Sequence, residues 1–370
     1  MLNGYGNLKR EIITPDLCTL CGACEAACPI SAIDILPDKN VQTFDCSSDF
    51  ESCHICHEVC PHTAPNLEEA FNSFTKGQYT LPGIGPFITM KAARSSFEDV
   101  RDITRSGGVA TTLAICGMEH NLLDSVVSSE TRDLKDLPLP MKGKIQPVSD
   151  YLPSMFSYSF HPAAVAKAYD SVVKGYSNSR VAFIGVPCHM TALRKLQLFG
   201  HKSSDQLGFL IGQFCLWSIS SIGSLSLLLE ESGVRFEEVE DISVSDKFVV
   251  KSNAKTLEFP LNAIWKNVRE GCKTCMDFTG YFSDISVGRV EGLSWDWSVV
   301  IVRSKQGEAL LRAAEEEGYV ETVKLPHAVP EFVESLASKK KELAKQEVEE
   351  DIKRGIGAPG AFRIMEKNIR

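Results

Sequence analysis

Residues 18–29 carry the spacing Cys18-x2-Cys21-x2-Cys24-x3-Cys28-Pro29, and no other feature of the chain restricts its fold so tightly. In a run of this kind three cysteines close on one [4Fe–4S] cube while the fourth crosses to a second cube, as in bacterial two-cluster ferredoxins. A second run is then required nearby. Cys53-x2-Cys56-x3-Cys60-Pro61 supplies its last three positions, with Phe50 standing where its first cysteine belongs and Cys46 four residues upstream as the substitute. The expected partition is Cys18, Cys21, Cys24 and Cys60 on one cluster, and Cys28, Cys46, Cys53 and Cys56 on the other. Tetrathiolate sites also bind zinc, but two Cys-Pro endings with crossed triplets favour iron–sulfur. A Rieske centre needs two histidines in place of cysteines. Here the cysteines already suffice, so His54, His57 and His62 read as surface or flanking residues.

Thirteen cysteines in all leave five more to explain. Cys272-x2-Cys275 is another ligand pair. Cys188 follows the strand-like run 180–186 with Pro187 between, and Cys215 ends the apolar run 207–214. Spacing alone leaves two readings open: a third tetrathiolate site, or inert buried thiols at Cys188 and Cys215. Cys116, between Ile115 and Gly117, reads as packing.

With 370 residues, 44% hydrophobic and 24% charged, the chain has the makings of two or three folded domains. Its net charge of −9 argues against general binding to nucleic acid or anionic membranes. Apolar runs fall short of the ~20 residues of a membrane span, and residues 1–16 lack a signal-peptide core, so a cytoplasmic location is expected. The cysteine module is expected over residues 10–70 and a connector, broken by Pro82, Gly83, Gly85 and Pro86, over 71–94. Strand-like and helix-like runs then alternate over 95–330, which favours α/β architecture. Residues 331–370 read as a charged helix with a thin stripe of Phe332, Leu336 and Leu343, and a tail that wraps a neighbour or stays solvated. Arg105-Ser106-Gly107-Gly108 opens the helix-like run Val109–Ile115. Ser106 suits a cap, and the glycines and helix start suit a pyrophosphate. A plain cap is equally consistent, and no GxGxxG fingerprint is present.

The segments Arg105-Ser-Gly-Gly-Val-Ala-Thr-Thr-Leu, Val181-Ala-Phe-Ile-Gly-Val-Pro-Cys188-His-Met-Thr-Ala-Leu-Arg194-Lys195, Cys272-Lys-Thr-Cys275-Met-Asp-Phe-Thr, Asp284-Ile-Ser-Val-Gly288 and Trp297-Ser-Val-Val-Ile-Val-Arg303 occur in the order found in the coenzyme F420 hydrogenase/dehydrogenase beta-subunit family. Residues 95–325 resemble that family, and with the front module the whole resembles its F420H2-oxidising members. The resemblance implies FAD in the large domain, coenzyme F420 as hydride partner, and a third [4Fe–4S] cluster on Cys188, Cys215, Cys272 and Cys275. The fold class expected is thus α/β, with an N-terminal bacterial-type 2[4Fe–4S] ferredoxin module, a larger α/β FAD-binding domain and a C-terminal charged helix.

Expected cofactor contacts are Arg105, Ser106, Gly107, Gly108, Ser157, Tyr158 and Pro187. The anionic tail of F420 calls for cations, for which Lys142, Lys144, Arg194, Lys195, Arg289 and Arg303 are candidates. Trp295 and Trp297 are candidates for ring stacking or for the core. A deazaflavin moves a hydride and a cubane moves one electron, so a flavin is expected between them, and no side chain need act as catalyst. The expected function is to pass electrons from reduced F420 through FAD and three [4Fe–4S] clusters to a partner redox protein or larger complex. Two other functions fit the same residues: a ferredoxin-dependent flavin/iron–sulfur reductase of a tetrapyrrole-like substrate, and a passive iron–sulfur electron-transfer subunit. Homo-oligomerisation and peripheral attachment to a membrane complex are left open.

Overall fold

A computed structural model describes residues 4–36, 39–46, 50–104, 107–130, 139–144, 180–220, 222–235, 238–244 and 247–369. In the amino-terminal module a helix over Gly4–Leu8 continues into a π-helical turn, Lys9–Ile13. Short helices over Ala23–Ala26 and Ile55–Glu58 carry Cys24 and Cys56. An antiparallel pair, β1 (Ile33–Ile35) and β2 (Asn40–Gln42), closes the loop between the two cysteine runs.

The stretch 71–94, expected as a connector, contributes folded elements instead. The helix Leu67–Phe74 extends into it; β3 (Tyr79–Leu81) pairs with β4 (Gly85–Phe87), and β5 (Thr89–Ser95) enters the main sheet. Its prolines and glycines mark the turn of a hairpin, which local sequence does not distinguish from a linker.

The main sheet adds β6 (Ser125–Glu130), β7 (Leu139–Lys144), β8 (Val181–Gly185) and β9 (Leu207–Gln213). Further along, β10 (Val239–Val244), β11 (Lys247–Ser252) and β12 (Thr256–Pro260) form a separate antiparallel sheet. Then β13 (Ile285–Gly288), β14 (Ser298–Val302) and β15 (Val320–Val323) complete the main one, in the order β15-β5-β14-β13-β9-β8-β6-β7. Its centre, β13-β9-β8-β6, is parallel, and its flanks are antiparallel.

Parallel strands must be covered on both faces, and the side-chain period of two divides them here. Val181 and Phe183 of β8 face one core, with Leu193 and Leu196 of the helix Pro187–Leu198. Ala182 and Ile184 face the other, with Leu113 of the helix Val109–Glu119 and Leu310 of the helix Lys305–Glu316. Ala27, Val59, Leu67 and Phe71 of the amino-terminal module join the first core, so that module is docked on the sheet rather than tethered to it. Cys116 is buried within the helix Val109–Glu119, as packing requires.

The carboxyl-terminal helix runs over Ala328–Lys353, about 39 Å at 1.5 Å per residue. Its buried stripe is Val329, Val333, Leu336, Ala337, Lys340, Ala344, Val348 and Asp351, broader than the three large residues suggested and containing a lysine. The tail does not hang free: a helix over Gly360–Asn368 packs on this chain's own module. Ala361 N donates to His62 O at 3.0 Å, Lys367 Nζ donates to Glu68 Oε1 at 2.7 Å, and Phe362, Met365 and Ile369 are buried. Among the described residues no helix is long and apolar enough to cross a membrane.

Candidate functional site

Three groups of thiols stand around three cavities. Cys18, Cys21, Cys24 and Cys60 line one. Cys28, Cys46, Cys53 and Cys56 line a second, the outer site, with Ile30 and Phe50 on its rim. Cys188 and Cys275 open on a third, and Cys215 and Cys272 lie within electrostatic reach of Cys188; this is the inner site. None of the thirteen cysteines, all among the described residues, is in a disulfide. Among the described residues no three His, Cys, Asp or Glu side chains converge tightly enough to hold a single ion.

The sites follow from local backbone. In the module, the two cysteine runs fold into turns whose N–H groups point at sulfur: Leu20 N approaches Cys18 Sγ at 3.4 Å and Ala32 N approaches Cys28 Sγ at 3.2 Å. Asn40 Nδ2 donates to Cys24 Sγ at 3.2 Å. The inner site is assembled from afar. The parallel neighbours β8 and β9 end on the same side of the sheet, where open α/β sheets form their crevices. Beyond those ends, Cys188 sits in the first turn of the helix Pro187–Leu198, and Cys215 N donates to Phe278 O at 2.9 Å. Cys272 lies in the short helix Glu270–Lys273, and Cys275 N closes the following turn on Cys272 O at 3.2 Å.

Burial pushes the Cys21 thiol up to about 12, helped by Cys60. It pushes Cys56 up to about 12, with Cys53, Cys28 and Cys46 adding to it. Cys215 also rises to about 12 through burial, although Lys340 pulls the other way. Cys24 and Cys188 are raised well above the usual thiol range by burial and by crowding from other thiols. Four soft sulfur donors grouped at each site are the donor chemistry of an iron–sulfur cluster, and the three sets fit one each.

The three sites form a line. Cys188 of the inner site is within electrostatic reach of Cys21, and Cys24 of the same middle quartet is within reach of Cys56 in the outer one. Pro61 and His62 border both the inner and the middle cavities. His62 is buried, its Nε2 has no hydrogen-bond partner among the described residues, and burial with Lys195 and Lys340 holds its imidazole down at about 4. Tyr5 lies between the middle and outer sites; burial, then Cys24 and Cys56, push its hydroxyl up to about 12. The contact between module and sheet is close: Arg269 Nη1 reaches Cys18 O at 3.5 Å, and a side chain at Gly271 would come within 2.1 Å of Leu17 O.

Several cations expected at a cofactor are used by the protein itself. Arg194 is buried and pairs with Asp284 Oδ1 at 3.0 Å, donating also to Phe282 O and Gln197. Lys195 is buried and donates to Cys60 O and to O and Oγ1 of Thr63, the last two at 2.9 and 3.0 Å; burial lowers its ammonium to about 8. Arg303 is buried among Ile84 O, Pro86 O, Ser286 and Thr279, and burial lowers it to about 10. These cations are held within the framework by carbonyls, hydroxyls and, for Arg194, a carboxylate. Arg289 is half-buried past β13.

The glycine pair is also taken up by packing. Gly107 and Gly108 have φ of +66° and +71°, and side chains there would meet Asp296 O at 2.6 Å and Val100 Cγ1 at 2.7 Å. Pro187 borders the inner thiol cavity. Trp297 is part-buried under the Arg94 guanidinium at 4.9 Å, while Trp295 is 55% exposed. Arg105, Ser106, Ser157 and Tyr158 lie outside the described residues, and Lys142 and Lys144 are placed on β7 by their backbone alone. The described members of the expected flavin set thus form no cradle. What sequence reading missed is Lys340, Asp277 and the tail. A lone lysine at helical spacing among Val333, Leu336, Ala337 and Ala344 was the available signal.

The family model for the C terminus of the coenzyme F420 hydrogenase/dehydrogenase beta subunit matches residues 178–328, and that for a 4Fe-4S binding domain matches residues 11–34. The beta subunit of the coenzyme F420 hydrogenase of Methanothermobacter thermautotrophicus is 25% identical over 75% of this chain and 99% of its own length. One of the subunits of the F420H2 dehydrogenase of Methanosarcina mazei is 24% identical over 80% of this chain and 82% of its own. A chain of the F420-reducing [NiFe] hydrogenase complex from Methanosarcina barkeri, solved with xenon, shares the fold at a TM-score of 0.68 and 24% identity, over 76% of this chain and 98% of that one. Joined to the ordered thiol sites, these matches establish that the chain belongs to the coenzyme F420 hydrogenase/dehydrogenase beta-subunit family and carries a 4Fe–4S-binding module at its amino-terminal end.

Proposed function

We propose that this chain exchanges electrons between coenzyme F420 and a redox partner protein, in the direction of F420H2 oxidation, through three [4Fe–4S] clusters. Cys188, Cys215, Cys272 and Cys275 would hold the inner cluster, Cys18, Cys21, Cys24 and Cys60 the middle one, and Cys28, Cys46, Cys53 and Cys56 the outer one. A bound FAD would supply the exchange between a hydride and single electrons. The observation that carries the reading is the unbroken line of thiol sites from the sheet's crevice to the module surface.

The chain's own part is positional. Lys195 clamps the Cys60–Thr63 turn to the sheet, so the middle and inner sites keep a fixed separation. Phe362 and Met365 of the tail line the inner cavity and keep water from it. At the other end Ile30 and Phe50, 36% and 39% exposed, form an apolar rim suited to a partner surface. The relatives named above are subunits of a hydrogenase and a dehydrogenase, which supports a larger complex as the setting.

The test is anaerobic purification of the full chain with metal and flavin analysis, then addition of F420H2. About twelve irons per chain, three cubanes of four, one FAD, and bleaching by F420H2 but not by NADPH are expected. Iron near eight removes the inner cluster, and bleaching by NADPH alone removes F420 as the donor.

A further inference from the structure

Lys340 sits mid-way along the helix Ala328–Lys353, in its buried stripe, and is only 4% exposed. Its Nζ donates to Cys215 O at 2.7 Å and to Asp277 O at 2.5 Å. It thus grips the backbone of one inner-site cysteine and of the residue two beyond another. Burying an ammonium is costly unless an anion faces it. Asp277 is the carboxylate within reach, but its oxygens accept from Gly280 N at 2.7 Å and Tyr281 N at 2.9 Å, and it also faces the buried guanidinium of Arg303. Two buried cations, Lys340 and Arg303, therefore share one buried carboxylate. His62 also lies within electrostatic reach of Lys340. Arg269, which faces Cys272, also faces Asp16. One positive charge is left over beside Cys215, Cys272 and Cys275.

We infer that Lys340 sets the reduction potential of the inner cluster, its fixed charge raising that potential above what four thiolates alone would give. The inference rests on the proposed inner cluster. When a cubane held by four thiolates takes up one electron, its charge becomes more negative by one, and a nearby fixed cation in a low-dielectric interior favours that form. The carbonyl hydrogen bonds keep the ammonium in place without competing for the sulfurs. Lys340 lies beyond the matched family segment, which ends at residue 328, so the charge comes from a part of the chain outside that segment.

The experiment is an EPR-monitored redox titration of the intact, anaerobically purified chain, with iron content and far-UV circular dichroism measured on every variant. K340M should lower the inner midpoint so that the reduced fraction at a given potential falls about tenfold, equivalent to about 59 mV for a one-electron couple. K340R should restore the wild-type midpoint, and D277N, which removes the opposing charge, should move it upward. The outer midpoint should stay still in all three. A K340M protein with full iron and an unmoved inner midpoint overturns the inference. Should K340M fail to hold iron, D277N decides: an unmoved or lowered inner midpoint overturns it equally. A wild-type chain with two redox couples and iron near eight overturns the cluster reading itself, a result distinct from an inner couple that ignores residue 340.

Discussion

The outer and inner thiol sites each group four cysteines, in opposite surroundings. The outer one draws Cys28, Cys46, Cys53 and Cys56 from segments close in sequence, opens past the exposed Ile30 and Phe50, and has Cys56 acted on by burial first and then by its neighbouring thiols. The inner one draws its cysteines from the helix after β8, the end of β9 and a distant turn, with a buried lysine and a tail helix laid across it. On the proposed reading, the first is shaped for exchange with a changing partner and the second for transfer in a fixed field. On the same reading, ligand count does not settle what a cluster does; its neighbours do.

Removing one ligand from each end tests that contrast with the largest effect. C272A should cut iron from about twelve to about eight per chain and slow F420H2-driven reduction of an external acceptor by at least ~100-fold, because the gap to the middle site is then unbridged. C53A should cost the same iron, yet F420H2 should still reduce the inner and middle clusters, seen by EPR. If C53A silences the inner cluster as well, electrons enter from the other end and the proposed order is reversed.

Two substitutions sharpen the comparison at the seam between module and sheet. K195M leaves Thr63 O buried without its donor and takes one of three donors from Cys60 O, which keeps Thr63 N and Oγ1; at up to about 3 kcal/mol for the orphaned group it should destabilise the chain by about that amount in chemical denaturation. G271A is milder. Its new methyl meets Leu17 O, so the turn must move to make room, at about 1–3 kcal/mol. Transfer between inner and middle sites should slow while the outer midpoint stays put; an unchanged transfer rate would show that Leu17 yields without moving Cys18 or Cys21.

Much of the outer and middle thiol groups is legible in the sequence, because their cysteines lie on short spacings whose Cys-Pro endings and crossed triplets favour iron–sulfur over zinc. The inner site is half legible. Cys272-x2-Cys275 can be seen, but Cys188 and Cys215 become partners only because β8 and β9 are parallel neighbours, a fact of topology rather than of spacing. Arg194, Lys195 and Arg303 mislead for a related reason: a cation in a strand or helix is read as a surface charge until its carbonyl and carboxylate partners, some 80 to 220 residues away, are known. The same holds for residues 71–94, whose turn-forming residues say where the chain reverses and not that it goes on to pair as β5.

The smallest expected effect lies in the module, where Glu11 Oε2 meets His57 Nε2 at 2.9 Å and Arg10 Nη2 donates to its Oε1 at 2.7 Å. Partial burial pushes the Glu11 carboxyl up, but the hydrogen bonds from His57 and Arg10 outweigh it and hold the group below its ordinary value. A depressed carboxylate pKa adds stability above the unfolded value of about 4.3 and loses it as pH falls through the folded value. The pair is solvent-facing, so the contribution at neutral pH should be below about 1 kcal/mol. Wild type and E11Q should therefore differ slightly in urea midpoint at pH 7 and converge as pH drops below about 4. A gap of the same size at both pH values would mean that Glu11 acts through packing instead of charge. The helix bearing Cys56 would then be held by the same apolar contacts that surround the outer site, and the outer region would owe no more to charge than its rim of Ile30 and Phe50 suggests.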